Sequence, residues 1–144
     1  MNKDAIIVER TFPASAARIW KALTNKEEMK KWYFDLEEFK PEVGFKFQFT
    51  GGSDEEHQYL HLCEITEVVE NKKLSYSWRY DGYPGNSFVS FELFEQGDQT
   101  LLRLTHEGVE TFVAAGTDFA KQRFEKGWSD IVHRSLKEYI DSFN

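Results

Sequence analysis

From Phe39 to Glu107 the apolar side chains recur at every second position. Only an extended strand with one side in a core and the other in water turns that spacing into a continuous buried face. Phe45, Phe47 and Phe49 fall on one face of such a strand, and Lys46, Gln48 and Thr50 on the other. Turn-forming runs at Gly51-Gly52-Ser53-Asp54, Glu70-Asn71-Lys72-Lys73, Asp81 to Asn86 and Gln96-Gly97-Asp98-Gln99 cut the stretch into separate strands. Tyr59 to Val69, Leu74 to Tyr80, Phe88 to Phe94 and Leu101 to His106 complete an antiparallel meander of about five strands. Phe88 to Phe94 carries large residues on both faces, so which of them points inward stays open.

The flanks obey other rules. Ala5 to Phe12 is β-branched and apolar and stops at Pro13, which has no N–H for a sheet ladder, so it predicts a first strand. Ser15 is placed to cap a helix over about Ser15 to Thr24, where Ile19, Trp20 and Leu23 share a face. Asn25 with Glu28 three residues on reads as the capping box of a second, shorter helix ending near Trp32. In the last third, Phe124, Trp128, Ile131, Val132, Leu136, Tyr139, Ile140 and Phe143 repeat at three- and four-residue spacing, which predicts one long amphipathic helix. Val109 to Thr117 joins it to the meander, with Thr117 or Asp118 as N-cap. The expected class is α+β: a curved antiparallel sheet, two short helices after the first strand, and a C-terminal helix covering the apolar side. The 144 residues accommodate one domain, residues 1–144.

Composition narrows the function classes. Aromatic residues make up 16% of the chain because 13 are Phe, and rings of that number must fill either a core or a cavity. A net charge of −7 lacks the basic footprint of a nucleic-acid binder, so no nucleic-acid partner is expected. A lone Cys63 points to a reducing compartment, with the cytoplasm as the expected location. No apolar run approaches the roughly 20 residues of a membrane span, and the N-terminus carries no targeting pattern, so no membrane insertion is expected.

Short pieces recur along the chain: Phe12-Pro13-Ala14, Trp20-Lys21-Ala22-Leu23-Thr24, Trp32, Gly44-x-Phe-x-Phe, Lys73-Leu74-x-Tyr-x-Trp78, Thr100-x-Leu-x-Leu-Thr-His106, and Gly127-Trp128 with Leu136 and Tyr139 behind them. Taken together and in this order they resemble the START-like (SRPBCC) superfamily. Within it the chain looks like the family similar to the C-terminal domain of the activator of heat shock protein 90 ATPase. The resemblance implies a helix-grip fold, in which the sheet clasps the long terminal helix over a hydrophobic cavity.

The residues proposed to line that cavity are Trp32, Phe34, Phe45, Phe47, Tyr76, Trp78, Phe124, Trp128 and Ile131. Tyr59, His61, Tyr76, Tyr80 and His106 are the polar groups that would orient a ligand. For any one ring, close packing in the core is the default alternative. Gly127 inside the last helix either leaves room beside Trp128 or marks a bend or the start of the helix. His57 and His61 stand i,i+4, but on a strand that is about 13 Å, too far for one metal ion. His61 and His106 are a candidate acid–base pair across the sheet, with Glu64, Glu92 or Glu107 orienting a ring. No nucleophile elbow, phosphate loop, dinucleotide fingerprint or HExxH run is present, so no cofactor is expected. The acidic runs at Glu37-Glu38, Asp54-Glu55-Glu56 and Glu64, Glu67 and Glu70 read as solvated charge.

The leading expectation is a non-catalytic domain that binds a lipid-like or aromatic small molecule between sheet and helix. The resemblance implies two alternatives, a chaperone-interaction module and an enzyme related to aromatic-polyketide cyclases. The additional N-terminal domain of the eukaryotic activators has no counterpart here, which argues against a full co-chaperone role. Trp128→Ala or Trp78→Ala is expected to weaken binding more than it destabilises the fold.

Overall fold

The computed structural model describes residues 5–34, 36–52, 58–115 and 121–142. Thr117, Asp118, Phe143 and His57 lie outside them, as do Ser53 and Asp54 of the 51–54 turn. Six strands form one antiparallel sheet: β1 (Ile6–Phe12), β2 (Lys46–Gly52), β3 (Gln58–Val69), β4 (Lys73–Tyr80), β5 (Ser87–Gln96) and β6 (Gln99–Glu107). Their order is β1-β6-β5-β4-β3-β2, a five-strand meander with the first strand added beside the last. Phe12 has no exposed surface, and the chain turns directly after it, with the Ala14 N–H donating to the Phe12 carbonyl at 2.9 Å. Ser15 then accepts from the Arg18 N–H and opens α1 (Ala16–Thr24).

α1 runs into α2 (Lys26–Trp32) through Asn25, whose side chain accepts from the Glu28 N–H at 3.1 Å. The capping box predicted here is only half made. The Asn25 N–H closes α1 on the Lys21 carbonyl instead, and the Glu28 carboxylate turns outward from its own helix. It accepts from Arg18 at 2.7 Å and from the Tyr139 hydroxyl at 2.8 Å, so one side chain ties α1, α2 and the C-terminal helix together. Glu28→Ala is therefore expected to lower stability by about 1–2 kcal/mol, since charged hydrogen bonds are lost from a partly buried site. A urea midpoint indistinguishable from the parent would remove that role.

The inner face of the sheet is set by the two-residue period. Phe47 and Phe49, Cys63 and Ile65, Leu74 and Tyr76, Val89 and Phe91, and Leu102 and Leu104 are all buried there. This settles β5: Val89, Phe91 and Leu93 point inward, and Phe88 and Phe94 lie exposed on the outer face. A bulge between Ile65 and Glu67 breaks the β3–β4 register, and such an extra residue bends a strand. A 3₁₀ helix (Val109–Ala115) precedes the C-terminal helix.

That helix crosses the inner face as α3 (Lys121–Asp130), a π-helical stretch (Ile131–Leu136) and α4 (Lys137–Asp141). The predicted amphipathic face is present, with Trp128, Val132, Leu136 and Ile140 all buried. Its regularity is interrupted, because the π turn widens the helix just after Trp128. No helix among the described residues is long and apolar enough to cross a membrane.

Candidate functional site

Where α3 passes over the ends of β2, β3 and β4 the two layers do not close, and a cleft of about 710 Å³ remains. Each wall comes from a regular repeat. The two-residue period of β3 brings Tyr59 and His61 to the cleft, and that of β4 brings Trp78 and Tyr80. The helical period of α3 adds Phe124, Gly127 and Trp128, with Ile131 one turn further along at the start of the π stretch. Phe34, from the segment after α2, closes one end over Gly51. A side chain added at Gly51 would press on the Phe34 ring, since a Cβ there would sit 3.0 Å from it and the ring would have to give way. The mouth is polar, formed by exposed Gln122, Arg123 and Lys126 on α3, and Lys126 pairs with Asp130 at 3.2 Å.

The polar atoms around the cleft form two separate systems. In the first, the Trp128 indole N–H donates to His106 Nδ1 at 2.9 Å. An indole can only donate, so His106 must be neutral with its proton on Nε2, which donates to Ser87 Oγ at 2.8 Å. Ser87 passes the chain on to the Trp78 carbonyl at 2.8 Å. Burial away from any charge partner pushes His106 down to about 3, so it is uncharged near neutrality.

In the second, His61 Nδ1 lies 2.9 Å from the Tyr59 carbonyl, which can only accept. The proton is therefore on Nδ1, and Nε2 carries the lone pair. Burial lowers His61 to about 4, against an opposing pull from backbone carbonyls of Tyr59 and Phe49. Its ring is held on several sides: stacked on Phe49 at 4.5 Å, and met edge-on by Trp78 at 4.8 Å and Tyr80 at 4.7 Å. Tyr80 in turn accepts from the Trp78 indole N–H at 2.9 Å, and burial raises its phenol well above the ordinary value.

Eight of the residues predicted from sequence thus meet in one place: Phe34, Tyr59, His61, Trp78, Tyr80, Phe124, Trp128 and Ile131. Trp32, Tyr76 and His106 are behind the walls. Trp32 is buried and donates to the Ala22 carbonyl at 2.9 Å, and Tyr76 shares a 2.6 Å hydrogen bond with Tyr33. Phe45 and Phe47 border a different hollow of about 720 Å³, which also has Glu37, Lys46, Glu64 and Arg79 on its walls. That hollow is strongly charged and belongs to the edge of the sheet, so water serves it as well as a ligand would. The predicted acid–base pair does not form. Trp78 stands beside both His61 and His106, at 4.8 and 5.5 Å, each ring nitrogen system is separate, and Glu64, Glu92 and Glu107 occupy outward-facing positions. Among the described residues no three His, Cys, Asp or Glu side chains come together as a metal site would require.

Sequence reasoning missed Gly51 and the mouth residues Gln122, Arg123, Lys126 and Asp130. The available signal was the helical face itself: Phe124, Gly127, Trp128 and Ile131 stand at i, i+3, i+4 and i+7, and the smallest of them marks the gap. A Cβ built on Gly127 meets nothing within 4 Å. The space beside Gly127 is open, and the helical run of α3 continues through it.

Comparison with known proteins adds the following. The family model described as activator of Hsp90 ATPase homolog 1-like protein matches residues 13–141. No curated protein sequence matches. Among solved structures, protein MLL2253 from Mesorhizobium loti superposes with a TM-score of 0.78 at 25% identity, over 97% of this chain and 98% of that one. The Aha1 dimer from Colwellia psychrerythraea gives 0.71 at 24% identity, over 94% of this chain and 95% of that one. DynU16, from the dynemicin biosynthetic locus, gives 0.77 at 20% identity, over 99% of this chain and 49% of that one. The last two likenesses speak for the fold alone.

Proposed function

The chain belongs to the activator of Hsp90 ATPase homolog 1-like family, within the START-like fold, and on that premise we propose that it acts as one domain that binds a hydrophobic small molecule in the cleft under α3. The observation that carries this reading is the cleft itself. Its volume falls in the range of about 300 to 1,000 Å³ usual for ligand sites, and its walls are aromatic with a few fixed polar atoms. Burial of a flat or lipid-like body against Trp78, Trp128 and Phe124 would drive affinity. A non-catalytic role fits best, because the one imidazole facing the cleft is lowered to about 4 and is a weak base near neutrality. A location in the cytoplasm agrees with the free, buried thiol of Cys63.

The protein-partner alternative draws less support. Ile7, Phe88 and Phe94 are exposed on the outer face, but they are separated by charge: Arg103 lies over the Phe94 ring at 4.9 Å and pairs with Glu9 at 2.7 Å. Docking surfaces tend to be larger and more continuous than that.

Gly127→Leu gives a clean test. A leucine there fills the cleft and replaces a helix-interior glycine, so stability is expected to hold or rise by about 1 kcal/mol. Amide spectra titrated with fatty acids, sterols, flavonoids and polyketide-like aromatics should show saturable shifts around Trp78 and Trp128 in the parent, and none in the variant. Equal binding by both proteins would move the site elsewhere. Silence from every ligand class in the parent would return weight to a protein partner.

A further inference from the structure

On the buried wall of the cleft, His61 has only one of its two ring nitrogens committed. Its Nδ1–H is committed to the Tyr59 carbonyl, which fixes the tautomer and leaves Nε2 as an acceptor. No described residue donates a hydrogen bond to Nε2, the Phe49 carbonyl near the ring having no proton to give, yet among the described residues no sealed side-chain nitrogen or oxygen lacks a partner. Nε2 therefore opens on free space, and the space beside His61 is the cleft. The ring cannot turn to hide it, being stacked on Phe49 and flanked by Trp78 and Tyr80. On the fourth side the ring edge rests against Gly51, where a Cβ would lie 3.7 Å from His61 Cε1, an ordinary van der Waals distance.

Resting on the ligand-binding reading above, the geometry points to a selection rule: the cleft takes a neutral aromatic ligand bearing a hydroxyl or N–H donor, and His61 Nε2 accepts that hydrogen bond. An acceptor lone pair at the wall of an open cleft is served by water when no ligand covers it. A ligand that displaces the water without offering a donor leaves the lone pair buried and unpaired, which discriminates by roughly tenfold to a hundredfold. The other system near the cleft makes no such demand, because His106 already has a partner on each nitrogen. An anionic oxygen at the same place is rejected as well, since it would face the lone pair with no proton between them.

The test uses three probes of one shape on the whole chain: flavone, a hydroxyflavone, and the O-methyl ether of that hydroxyflavone. Calorimetry is expected to give the hydroxyflavone an advantage of at least tenfold over its ether, and His61→Phe should bring the two within about twofold of each other. The His61 Nε2 nitrogen resonance in the parent protein should move on adding the hydroxyflavone and stay nearly still with the ether, a readout that holds even if the variant folds poorly. Equal affinities for phenol and ether, or an unmoved Nε2 resonance, would overturn the selection rule while flavone binding kept the cleft reading intact. Failure of all three probes to bind would overturn the selection rule, while saturable shifts with a fatty acid or sterol would still uphold the cleft reading.

Discussion

Trp128→Ala is expected to cost about 3–5 kcal/mol of stability, the range for removing a large ring from a packed interior. Only 3% of Trp128 is exposed, and it is bordered by Trp78 at 5.4 Å, Phe91 at 6.1 Å, His106 at 5.8 Å and Tyr33 at 6.2 Å. Alanine removes that ring and also leaves His106 Nδ1 without its donor. Against a total of about 5–15 kcal/mol for a typical domain, the loss takes much of the margin. Trp128→Phe keeps a ring but not the N–H, so its urea midpoint should lie between those of the parent and the alanine variant. An alanine variant within about 1 kcal/mol of the parent would show that α3 packs more loosely than described. Weaker binding by Trp128→Ala would therefore not separate site from fold, because Trp128 is wall and core at once, and ligand binding is better probed at Gly127 and His61.

Stability should also fall steeply in mild acid. His61 and His106 are lowered to about 4 and about 3, whereas in the unfolded chain both take a proton near 6.5. Between these limits the unfolded state binds more protons than the folded state, so stability rises with pH there and is lost as pH falls. Each histidine contributes a slope of up to about 1.4 kcal/mol per pH unit, beginning just below pH 6.5. Protonated His106 would also turn a second N–H toward the Trp128 indole, donor against donor. Urea midpoints measured from pH 7 to pH 4.5 should drop progressively, and His61→Phe should flatten the profile by about half. A profile flat over that range would mean the histidines are not held neutral by burial.

The sheet, both early helices and the terminal helix were legible in the sequence because each obeys a simple period and carries its own stop signals. The division of rings between core and cleft was not. Tyr76 and Trp78 share a face of β4 and differ by one repeat, yet Tyr76 is sealed against Tyr33 while Trp78 borders open space. Periodicity assigns a face; it does not say where along that face the facing layer lifts away. The same holds for Phe45 and Phe47, which match Phe49 in pattern but sit toward the other end of the sheet. The direction of Phe88 to Phe94 needed its neighbours, because register with β4 and β6 decides it. The π turn left no trace in composition, as one extra residue per turn hardly disturbs a three- and four-residue repeat.

The sheet order also dictates a sequence of events in time. Strands β2 to β6 pair with chain neighbours through short turns, so hairpins can form as the polypeptide lengthens. The first strand has no such neighbour. Ile6 pairs with His106 and Phe12 with Thr100, so β1 must wait for roughly ninety further residues before it finds its place. During synthesis it is made ahead of the other strands and is the last of the six to pair, and until then the edge of β6 that it will occupy is bare. Once β1 is paired along its length with β6, Thr100 donates to the Ala14 carbonyl at 2.8 Å and pins the corner where the strand ends.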